Sequence, residues 1–274
     1  MITGANGFVG KQVLKALAAQ GILCRIVLRK GRSHQFENNL NIEKIIETDD
    51  LFAESVDWWQ QLCHGIDTVI HIAWYVEPGK YLYSTKNLDC LIGSLNLIRG
   101  AANSGVKKIV GIGTCFEYDL NYGVLSTDTP LNPITPYATA KANLFSTLAS
   151  FSKELNLKYN WCRLFYLFGD GEDERRFVSY IHSKLSKGEE AELTSGYQVR
   201  DFLDIEKAGK QIAEVALQHD YSGPVNICSG IPVSLKQLAE KIADEYGRRD
   251  LLKFGARPDN LVDPIMILGK KTTI

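Results

Sequence analysis

The segment TGANGFVG at residues 3–10 follows the apolar start of the chain and leads into a helical pattern of apolar residues over positions 13–18. Its glycines permit a tight turn and a close approach of the backbone to a pyrophosphate, while the N–H groups at the start of the helix attract the anion. An ordinary glycine-rich turn between a strand and a helix is the alternative. Because the segment opens an alternating pattern of strands and helices, we interpret it as a phosphate-binding turn.

Strand-like apolar runs alternate with helical periodicity through the first part of the chain. The runs cover residues 23–28, 42–46, 68–72, 108–112 and 159–165, and helical spacing is clearest over 88–98 and 144–151. This order predicts an α/β fold with a doubly wound parallel sheet. The nearly continuous apolar character of the runs indicates strands that are buried on both faces.

From about residue 169 the pattern loosens into charged helices, short strands and turns. The clearest helices in this part are predicted over 172–187 and 235–246. We interpret this later part as a substrate-binding region. No low-complexity tract or linker sequence separates it from the first part, so we expect the two parts to share one cleft.

A tyrosine and a lysine stand four residues apart in the segment YATAK at residues 137–141, a spacing that places both on one face of a helix. Thr135 and Pro136 supply an N-cap hydroxyl and a proline at the first helical position, so Tyr137 is predicted in the first turn. A phenol beside an ammonium can donate a proton to a carbonyl oxygen. Alone the pair is a weak signal, because a solvated helix face has the same spacing.

Composition argues against several functional classes. The 31 basic and 32 acidic side chains leave a formal net charge of −1, which provides no field suited to nucleic acid or to an anionic membrane. No apolar run approaches the roughly 20 residues that cross a bilayer, and the start of the chain lacks the form of a signal peptide, so we expect a soluble, cytoplasmic protein. Six cysteines are scattered without metal-ligand spacing, so we predict neither disulfides nor a metal site.

Together, TGANGFVG and YATAK resemble the motifs of the extended short-chain dehydrogenases, the group of nucleotide-sugar epimerases, dehydratases and reductases. Further segments fit the family pattern in order along the chain: Asp50-Leu51, His71-Ile72-Ala73-Trp74, Gly113-Thr114 and Val199-Arg200-Asp201-Phe202. The resemblance covers nearly the whole chain. It implies a dinucleotide-binding Rossmann domain over residues 1–168 and a smaller, mainly substrate-binding C-terminal region over 169–274, from which some segments return to the Rossmann part.

The same resemblance assigns expected roles to individual residues. It implies a catalytic triad of Thr114, Tyr137 and Lys141. For the cofactor it implies contacts from Gly4, Asn6, Gly7, Phe8, Val9, Arg29, Asp50, Leu51, Ile72, Ala73, Trp74, Asn87, Ile112, Tyr137, Lys141 and Leu164. For a nucleotide-diphosphate sugar substrate it implies contacts from Thr114, Tyr166, Arg176, Arg200 and Arg257. Arg200 and Arg257 resemble the arginines that clamp the diphosphate, whereas Tyr166 stands where many epimerases have asparagine.

The end of the second predicted strand bears on the choice of cofactor. In dinucleotide folds that select NAD, an acidic residue about 20 positions along binds the ribose hydroxyls. Arg29 occupies this place, with Lys30 and Arg32 nearby, and a guanidinium matches a 2′-phosphate bidentately. NADP(H) is therefore favoured and NAD(H) stays open, with an ordinary surface arginine as the alternative explanation.

In the implied triad, Lys141 favours the phenolate of Tyr137 by its charge, binds the nicotinamide ribose and lowers the pKa of the phenol from about 10 toward the working range. The phenol gives its proton to a ketone oxygen as hydride arrives, and the hydroxyl of Thr114 holds that oxygen. Sugar 4,6-dehydratases of the family carry an acidic pair directly after this threonine. Cys115-Phe116 stand there instead, and Glu117 is one position too late, which argues against dehydration.

The leading hypothesis is NADPH-dependent reduction of a nucleotide-linked 4-keto-6-deoxyhexose, by resemblance to the talose, abequose and paratose branch. A nucleotide-sugar 4-epimerase that holds NAD tightly and a non-catalytic dinucleotide sensor are the alternatives. His71 is interpreted as a packed structural residue. The apolar helix faces over 88–98 and 144–151 either cover the sheet or, as in relatives, form a four-helix contact, so a homodimer is expected.

Overall fold

The computed structural model describes residues 1–36, 41–260 and 263–273. Its strands, in chain order, are β1 (Ile2–Thr3), β2 (Cys24–Arg29), β3 (Ile42–Thr48), β4 (Thr68–His71), β5 (Lys108–Thr114), β6 (Val124–Leu125), β7 (Lys158–Leu164), β8 (Tyr166–Phe168), β9 (Ala191–Glu192), β10 (Val199–Asp204), β11 (Gly223–Ile227), β12 (Pro232–Ser234), β13 (Leu252–Lys253) and β14 (Met266–Gly269). Its α-helices are α1 (Phe8–Ala18), α2 (Val56–Leu62), α3 (Lys86–Asn103), α4 (Pro136–Phe151), α5 (Phe177–Ser186), α6 (Ile205–Leu217) and α7 (Leu235–Tyr246).

The large sheet has seven strands in the order β11-β7-β5-β4-β1-β2-β3. All of its neighbouring strands run parallel. The chain moves outward from β1 to β3 on one side and then continues from β4 on the other, so the strand order reverses at β1. This is the doubly wound arrangement that the sequence predicts, and its ligand-binding edge is the one where the strands end.

Helices cover both faces of the large sheet. On one face, α1 and α6 pack over Ile26 and its neighbours in a first hydrophobic core. On the other face, α2, α3 and α4 pack over Val27 and its neighbours in a second core. Ile26 and Val27 are adjacent residues of β2 that point to opposite faces, and both are fully buried. The prediction of strands buried on both faces is confirmed for β2 and β5, but it is wrong for β3, which lies at the edge of the sheet and exposes Glu43, Lys44 and Glu47.

A second, smaller sheet has the strand order β12-β10-β14-β6, with β8 also paired to β10. Next to it, α5 and α7 form a separate hydrophobic core with residues of β9 and β13. The small sheet takes β6 from the first part of the chain. Conversely, α6 and β11 come from the later part of the chain and belong to the layers of the large sheet.

The helix predicted over 172–187 is shorter than expected, since α5 begins at Phe177. The carboxylate of Asp173 accepts both the backbone N–H and the guanidinium of Arg175, which holds a turn in front of the helix. Local bonding of a side chain to the backbone competes with helix formation in this way. The helix predicted over 235–246 coincides with α7.

All six cysteines are buried as free thiols. Burial raises the pKa of the Cys63 thiol to about 11, because the thiolate is poorly solvated in the core. These thiols therefore behave as small apolar packing residues. Among the helices that the structure describes, none combines the length and the apolar composition needed to span a membrane.

Candidate active site

The glycine turn connects β1 to α1 through three close approaches of the backbone. Gly4 has φ +72°, and a β-carbon there would lie 2.8 Å from the amide nitrogen of Ala73. A β-carbon on Gly10 would lie 2.0 Å from the carbonyl oxygen of Gly4, so α1 can pack this closely only because residue 10 has no side chain. Gly7 is the N-cap of α1, and a β-carbon there would meet only the Gly4 oxygen, at 3.3 Å.

The start of α1 is open to an anion. No side chain caps the helix at Gly7, and no acidic residue lies in its first turn. The first-turn N–H groups and the helix dipole are thus available to a negative group, and the exposed Gly7 leaves room for it to approach. The turn fits the pyrophosphate of a dinucleotide, which Gly4, Asn6, Gly7, Phe8 and Val9 would hold.

The other residues expected to contact the cofactor lie where neighbouring strands end. Thr3, the last residue of β1, pairs with His71, the last residue of β4, so Ile72, Ala73 and Trp74 leave the sheet beside the glycine turn. Thr114, at the end of β5, pairs with Leu164, at the end of β7. The parallel sheet therefore gathers these segments along one edge.

Arg29 and Asp50 stand farther along the same edge. Arg29 is exposed at the end of β2, two residues beyond the residue that pairs with Thr3. Its neighbour Lys30 forms an exposed ion pair of 3.7 Å with Asp49. Asp50 follows β3 and accepts the backbone N–H of Phe52, so part of its hydrogen-bonding capacity is used locally.

The helix α4 begins as predicted. The hydroxyl of Thr135 accepts the backbone N–H of Ala138, and Pro136 is the first helical residue. Tyr137 is 9% exposed and Lys141 is 3% exposed, so neither belongs to a solvated helix face. The ammonium of Lys141 donates to the carbonyl oxygen of Ile112 at 2.6 Å, which ties α4 to β5.

Two aromatic rings pack against these side chains. The ring of Tyr81 meets the ring of Tyr137 edge to face, with 4.8 Å between the centroids. The ammonium of Lys141 lies 3.8 Å from the centroid of the Trp74 ring. Both rings come from the segment between β4 and α3.

Burial sets the protonation of the pair. It raises the pKa of Tyr137, and electrostatic interactions with Tyr81 and Glu117 raise it further. Burial also lowers the pKa of Lys141 to about 7, since the ammonium loses its hydration. The pKa of the phenol is thus raised because burial disfavours the phenolate, whereas the family resemblance implied that Lys141 would lower it.

Thr114 ends β5 and begins the short 3₁₀ turn Cys115–Glu117. Its hydroxyl accepts the backbone N–H of Phe116 at 3.3 Å, and its own backbone N–H donates to the carboxylate of Glu117 at 2.8 Å. The hydroxyl oxygen thus caps the turn and can still donate its proton. Thr114 lies two residues beyond Ile112, the residue that holds Lys141.

Glu117 is a residue whose importance sequence reasoning missed. It is fully buried and forms an ion pair of 2.8 Å with Arg163, which is 1% exposed. The indole of Trp161 donates to the same carboxylate at 3.0 Å. Thr-x-x-Glu is the spacing of a capping box, so the sequence did contain a signal that Glu117 bonds back to Thr114.

Arg200 is 3% exposed, which distinguishes it from a solvated surface charge. Its guanidinium donates to the carbonyl oxygen of Val199 at 2.9 Å, lies 3.8 Å from the carboxylate of Asp263, and stands 5.6 Å from the centroid of the Tyr166 ring. Burial raises the pKa of the Tyr166 phenol. The structure thus brings Arg200 and Tyr166 together.

Arg176 and Arg257 have different surroundings. Arg176 is exposed at the N-cap of α5, and its positive charge opposes the rise in the pKa of Tyr137. Arg257 is exposed, donates to the hydroxyl of Tyr180 at 3.0 Å and covers the ring of that residue at 4.7 Å. Arg257 is therefore positioned by α5.

His71 is buried between two hydroxyls. One ring nitrogen lies 2.8 Å from the oxygen of Thr3 and the other 2.8 Å from the oxygen of Ser94. Burial lowers the pKa of His71 to about 3, so the ring is neutral, and its interpretation as a packed structural residue is confirmed. Within the described parts of the chain, no group of three or more His, Cys, Asp or Glu side chains is placed to hold a metal ion.

A profile of the family described as "NAD dependent epimerase/dehydratase family" matches residues 1–228. The chain belongs to this family. The resemblance inferred from the glycine turn and the YATAK segment is thereby confirmed, and the protein is an NAD(P)-dependent enzyme of the oxidoreductase type. The short-chain dehydrogenase motifs and the geometry of the site point to the same conclusion.

Individual relatives of this family member cover nearly all of the chain. The dTDP-6-deoxy-L-talose 4-dehydrogenase (NAD(+)) of Aggregatibacter actinomycetemcomitans is 31% identical over 280 residues, which cover 99% of each chain. The CDP-abequose synthase of Salmonella typhimurium is 25% identical and aligns with 93% of this chain and 84% of its own. The crystal structure of UDP-glucose 4-epimerase from Thermotoga maritima, with UDP-glucose, shares the fold at a TM-score of 0.84 and 21% identity over 99% of this chain and 89% of that one.

Replacing Glu117 tests the buried ion pair. Glu117→Gln leaves the guanidinium of Arg163 buried without a counter-ion, so we expect the free energy of unfolding to fall by about 3 kcal/mol in urea denaturation. In the double variant Glu117→Gln/Arg163→Met, part of this loss should be recovered because no charge is left unpaired. Glu206→Gln, which breaks the exposed pair with Lys15, is the control, and it should leave the free energy of unfolding unchanged within the error of the measurement. Equal losses in the Glu117 variant and the control would contradict the assigned role.

Proposed function

We propose that this protein is a nucleotide-sugar 4-oxidoreductase that reduces a nucleotide-linked 4-keto-6-deoxyhexose with NADPH. The observation that carries the proposal is the burial of a protonated phenol, Tyr137, one helical turn from Lys141 at the edge of the sheet where β5 ends. Reduction of a ketone needs a proton donor at that edge, beside the turn that fits the dinucleotide.

The relative from Aggregatibacter supports C4 as the reacting carbon. Its name describes dehydrogenation at C4 of a 6-deoxyhexose carried by dTDP. Reduction of the corresponding 4-ketone is the same hydride transfer in the opposite direction. Cys115 and Phe116, which follow Thr114, offer no acid and base for dehydration, and Glu117 is engaged by Arg163.

The proposed mechanism uses the three residues in different ways. When bound, the nicotinamide cofactor supplies the hydride. Tyr137 donates its phenolic proton to the oxygen at C4, and Thr114 donates a hydrogen bond to the same oxygen. Lys141 supplies positive charge one helical turn away, which stabilises the phenolate that Tyr137 becomes.

The raised pKa of Tyr137 favours the reductive direction. A buried phenol keeps its proton at neutral pH until the ketone oxygen gains negative charge. Oxidation of the alcohol would instead need the phenolate as a base, and burial disfavours that form. Net oxidation should therefore require a higher pH than reduction does.

The diphosphate of the substrate is assigned to the arginines near the small sheet. Arg200 stands beside Tyr166 at the boundary between β8 and β10, and the charge of Arg176, at the start of α5, acts on Tyr137. Arg257, held by Tyr180 of α5, would be the third of these arginines. Arginine pairs suit a dianionic diphosphate because each guanidinium can donate two parallel hydrogen bonds.

The activity is tested with purified protein, NADPH and a set of nucleotide-linked 4-keto-6-deoxyhexoses. We expect NADPH to be consumed with at least one of them, and Tyr137→Phe to reduce kcat at least about 100-fold while cofactor binding is retained, because only the proton donor is lost. Tyr83→Phe removes the hydroxyl of a tyrosine that is 74% exposed and should leave kcat unchanged.

Other outcomes of this assay have definite meanings. No NADPH consumption with any keto sugar would contradict the reductase. Protein that retains NAD through purification and interconverts C4 epimers without net redox change would identify a 4-epimerase. Cofactor binding that is unaffected by Tyr137→Phe, with no turnover of any sugar, would identify a dinucleotide sensor.

The preference for NADP(H) is supported by Arg29. No acidic side chain ends β2, and Arg29 makes no hydrogen bond or ion pair with any residue that the structure describes, so its guanidinium is available to a 2′-phosphate. The name of the Aggregatibacter relative specifies NAD(+), so the two cofactors must be compared directly.

Titration calorimetry with each cofactor tests this preference. Arg29→Ala should weaken NADPH binding about tenfold or more and leave NADH binding nearly unchanged, because the charge-assisted bonds to the phosphate are lost. Lys30→Ala, whose side chain pairs with Asp49, is the matched control and should have a small effect. Tighter binding of NADH than of NADPH by the unmodified protein would refute the assignment.

A homodimer is supported by the apolar residues that α3 and α4 leave uncovered. Leu88 and Ile92 on α3 are 60% and 51% exposed, and Phe151 on α4 is 56% exposed. Ile134, directly before α4, is 76% exposed. Such a surface on adjacent helices suits a four-helix contact between two copies of the chain.

Light scattering coupled to gel filtration tests the dimer. The protein should elute with twice the mass of one chain, and Ile92→Glu should shift it to the monomer because a carboxylate would be buried without a partner. Ile231→Glu changes an isoleucine that is 67% exposed outside α3 and α4 and should leave the dimer intact. A monomeric unmodified protein would rule out this contact.

A further inference from the structure

The segment between β4 and α3, residues 72–85, places an aromatic ring against each of the two catalytic side chains of α4. Trp74 lies over the ammonium of Lys141, and Tyr81 packs against the ring of Tyr137. The two rings are seven residues apart in the sequence, yet they meet residues one helical turn apart. This segment therefore acts on the site as one unit, which we call the aromatic segment.

Asn87 anchors the aromatic segment. Its amide oxygen accepts the indole N–H of Trp74 at 2.8 Å, and its amide nitrogen donates to the carbonyl oxygens of Tyr81 and Ser84 at 2.6 and 2.9 Å. Asn87 is 2% exposed, so these bonds form away from water. A side-chain amide that is bonded through both its oxygen and its nitrogen holds Trp74 and Tyr81 in fixed relative positions.

The ammonium of Lys141 has three N–H donors. One is engaged by the carbonyl oxygen of Ile112 at 2.6 Å, and the face of the Trp74 ring covers the ammonium at 3.8 Å. These two contacts restrict the direction of the remaining donors. A ring face attracts a cation more strongly when water is excluded, as it is at this buried lysine.

We propose that Trp74 is a positioning residue for catalysis, because its ring face, oriented by Asn87, holds the Lys141 ammonium in place and favours its charged form. The proposal deepens the function proposed above and rests on it for its catalytic meaning. The indole face replaces part of the hydration that Lys141 loses on burial.

The titratable groups around Lys141 do not take over from the Trp74 ring in stabilising its charged form. Glu117, from the turn after β5, attracts the ammonium but is bonded to Arg163. His71 of β4 is neutral, since its pKa lies at about 3, and the pKa of the Cys90 thiol on α3 is raised by burial. On α4 itself, the pKa of Tyr137 is raised, so the phenol carries no charge at neutral pH.

The test measures the protonation of Lys141 directly and needs no turnover. The protein is labelled with lysine carrying ¹³C at Cε, and the Cε resonance of Lys141 is assigned by its loss in Lys141→Arg. The resonance is then followed from pH 5 to pH 10 in the unmodified protein, in Trp74→Phe and in Trp74→Leu. Phenylalanine keeps an aromatic face and loses the bond to Asn87, whereas leucine loses the aromatic face.

We expect the titration midpoint of Lys141 to fall by about one pH unit in Trp74→Leu, a tenfold change in the ratio of ammonium to amine, and to fall by less in Trp74→Phe, which keeps an aromatic face but loses the bond to Asn87. The fall follows because the charged form loses the ring face. A midpoint that is unchanged or higher in Trp74→Leu, or that falls equally in Trp74→Phe and Trp74→Leu, would overturn the proposal. If Trp74→Leu fails to fold, Trp74→Met, which fills the space with a flexible side chain, takes its place.

Kinetics then separate this proposal from the proposed function. In an active enzyme, the pH at which kcat falls as Lys141 loses its proton should move down with the resonance in Trp74→Leu. If Trp74 had a merely structural role, Trp74→Leu would lower kcat by the same factor at every pH and would leave unchanged the pH at which kcat falls. An unmodified protein that reduces no keto sugar, yet shows the expected shift of the Lys141 resonance, would refute the reductase and leave the action of Trp74 on Lys141 standing.

Discussion

The close approach of α1 to the edge of the sheet is the constraint on which the rest of the structure depends. A β-carbon on Gly10 would come within 2.0 Å of the Gly4 oxygen, and one on Gly4 would collide with Ala73. Without side chains at residues 4 and 10, the start of α1, the end of β1 and the segment after β4 converge on one point. The parallel order of the sheet then brings the ends of β5 and β7 to the same edge, so the glycine turn lies at the edge of the sheet to which Lys141 ties α4.

Burial decides the protonation of Tyr137 and Lys141, the proposed catalytic pair, and it shifts their pKa values in opposite directions. Exclusion of water raises the pKa of Tyr137 and lowers that of Lys141 to about 7, so the uncharged form of each is favoured. This effect keeps the proton on Tyr137, as a proton donor requires. The ammonium of Lys141, in contrast, needs other contacts to replace the hydration that it loses. The Ile112 carbonyl and the Trp74 ring provide these contacts. The negative charge nearby, Glu117, is engaged in holding the end of β5, which stabilises the position of Thr114.

Most of the fold was predictable because its signals are local or periodic. Apolar runs marked β2, β3, β4, β5 and β7 of the large sheet but not β11, and the cap at Thr135 marked the start of α4. The start of α5 was missed because Asp173 bonds to the backbone of its own turn, an effect that charge and periodicity do not reveal. The ion pair of Glu117 with Arg163 joins residues 46 positions apart, and the contact of Trp74 with Lys141 depends on two segments meeting at the sheet edge. Neither can be inferred from spacing along the chain.

The sequence by itself determined the doubly wound fold, the dinucleotide turn and the family, because each rests on residue types at fixed spacing: glycines where the backbone must approach closely, and a tyrosine and a lysine one helical turn apart. It also indicated the role of His71, since a histidine at the end of a buried strand is surrounded by packed residues. Only the tertiary structure decided the protonation of the site. The pKa of a side chain depends on the water excluded around it and on the charges and rings placed beside it, and these come from segments that are distant in the chain and adjacent only after folding.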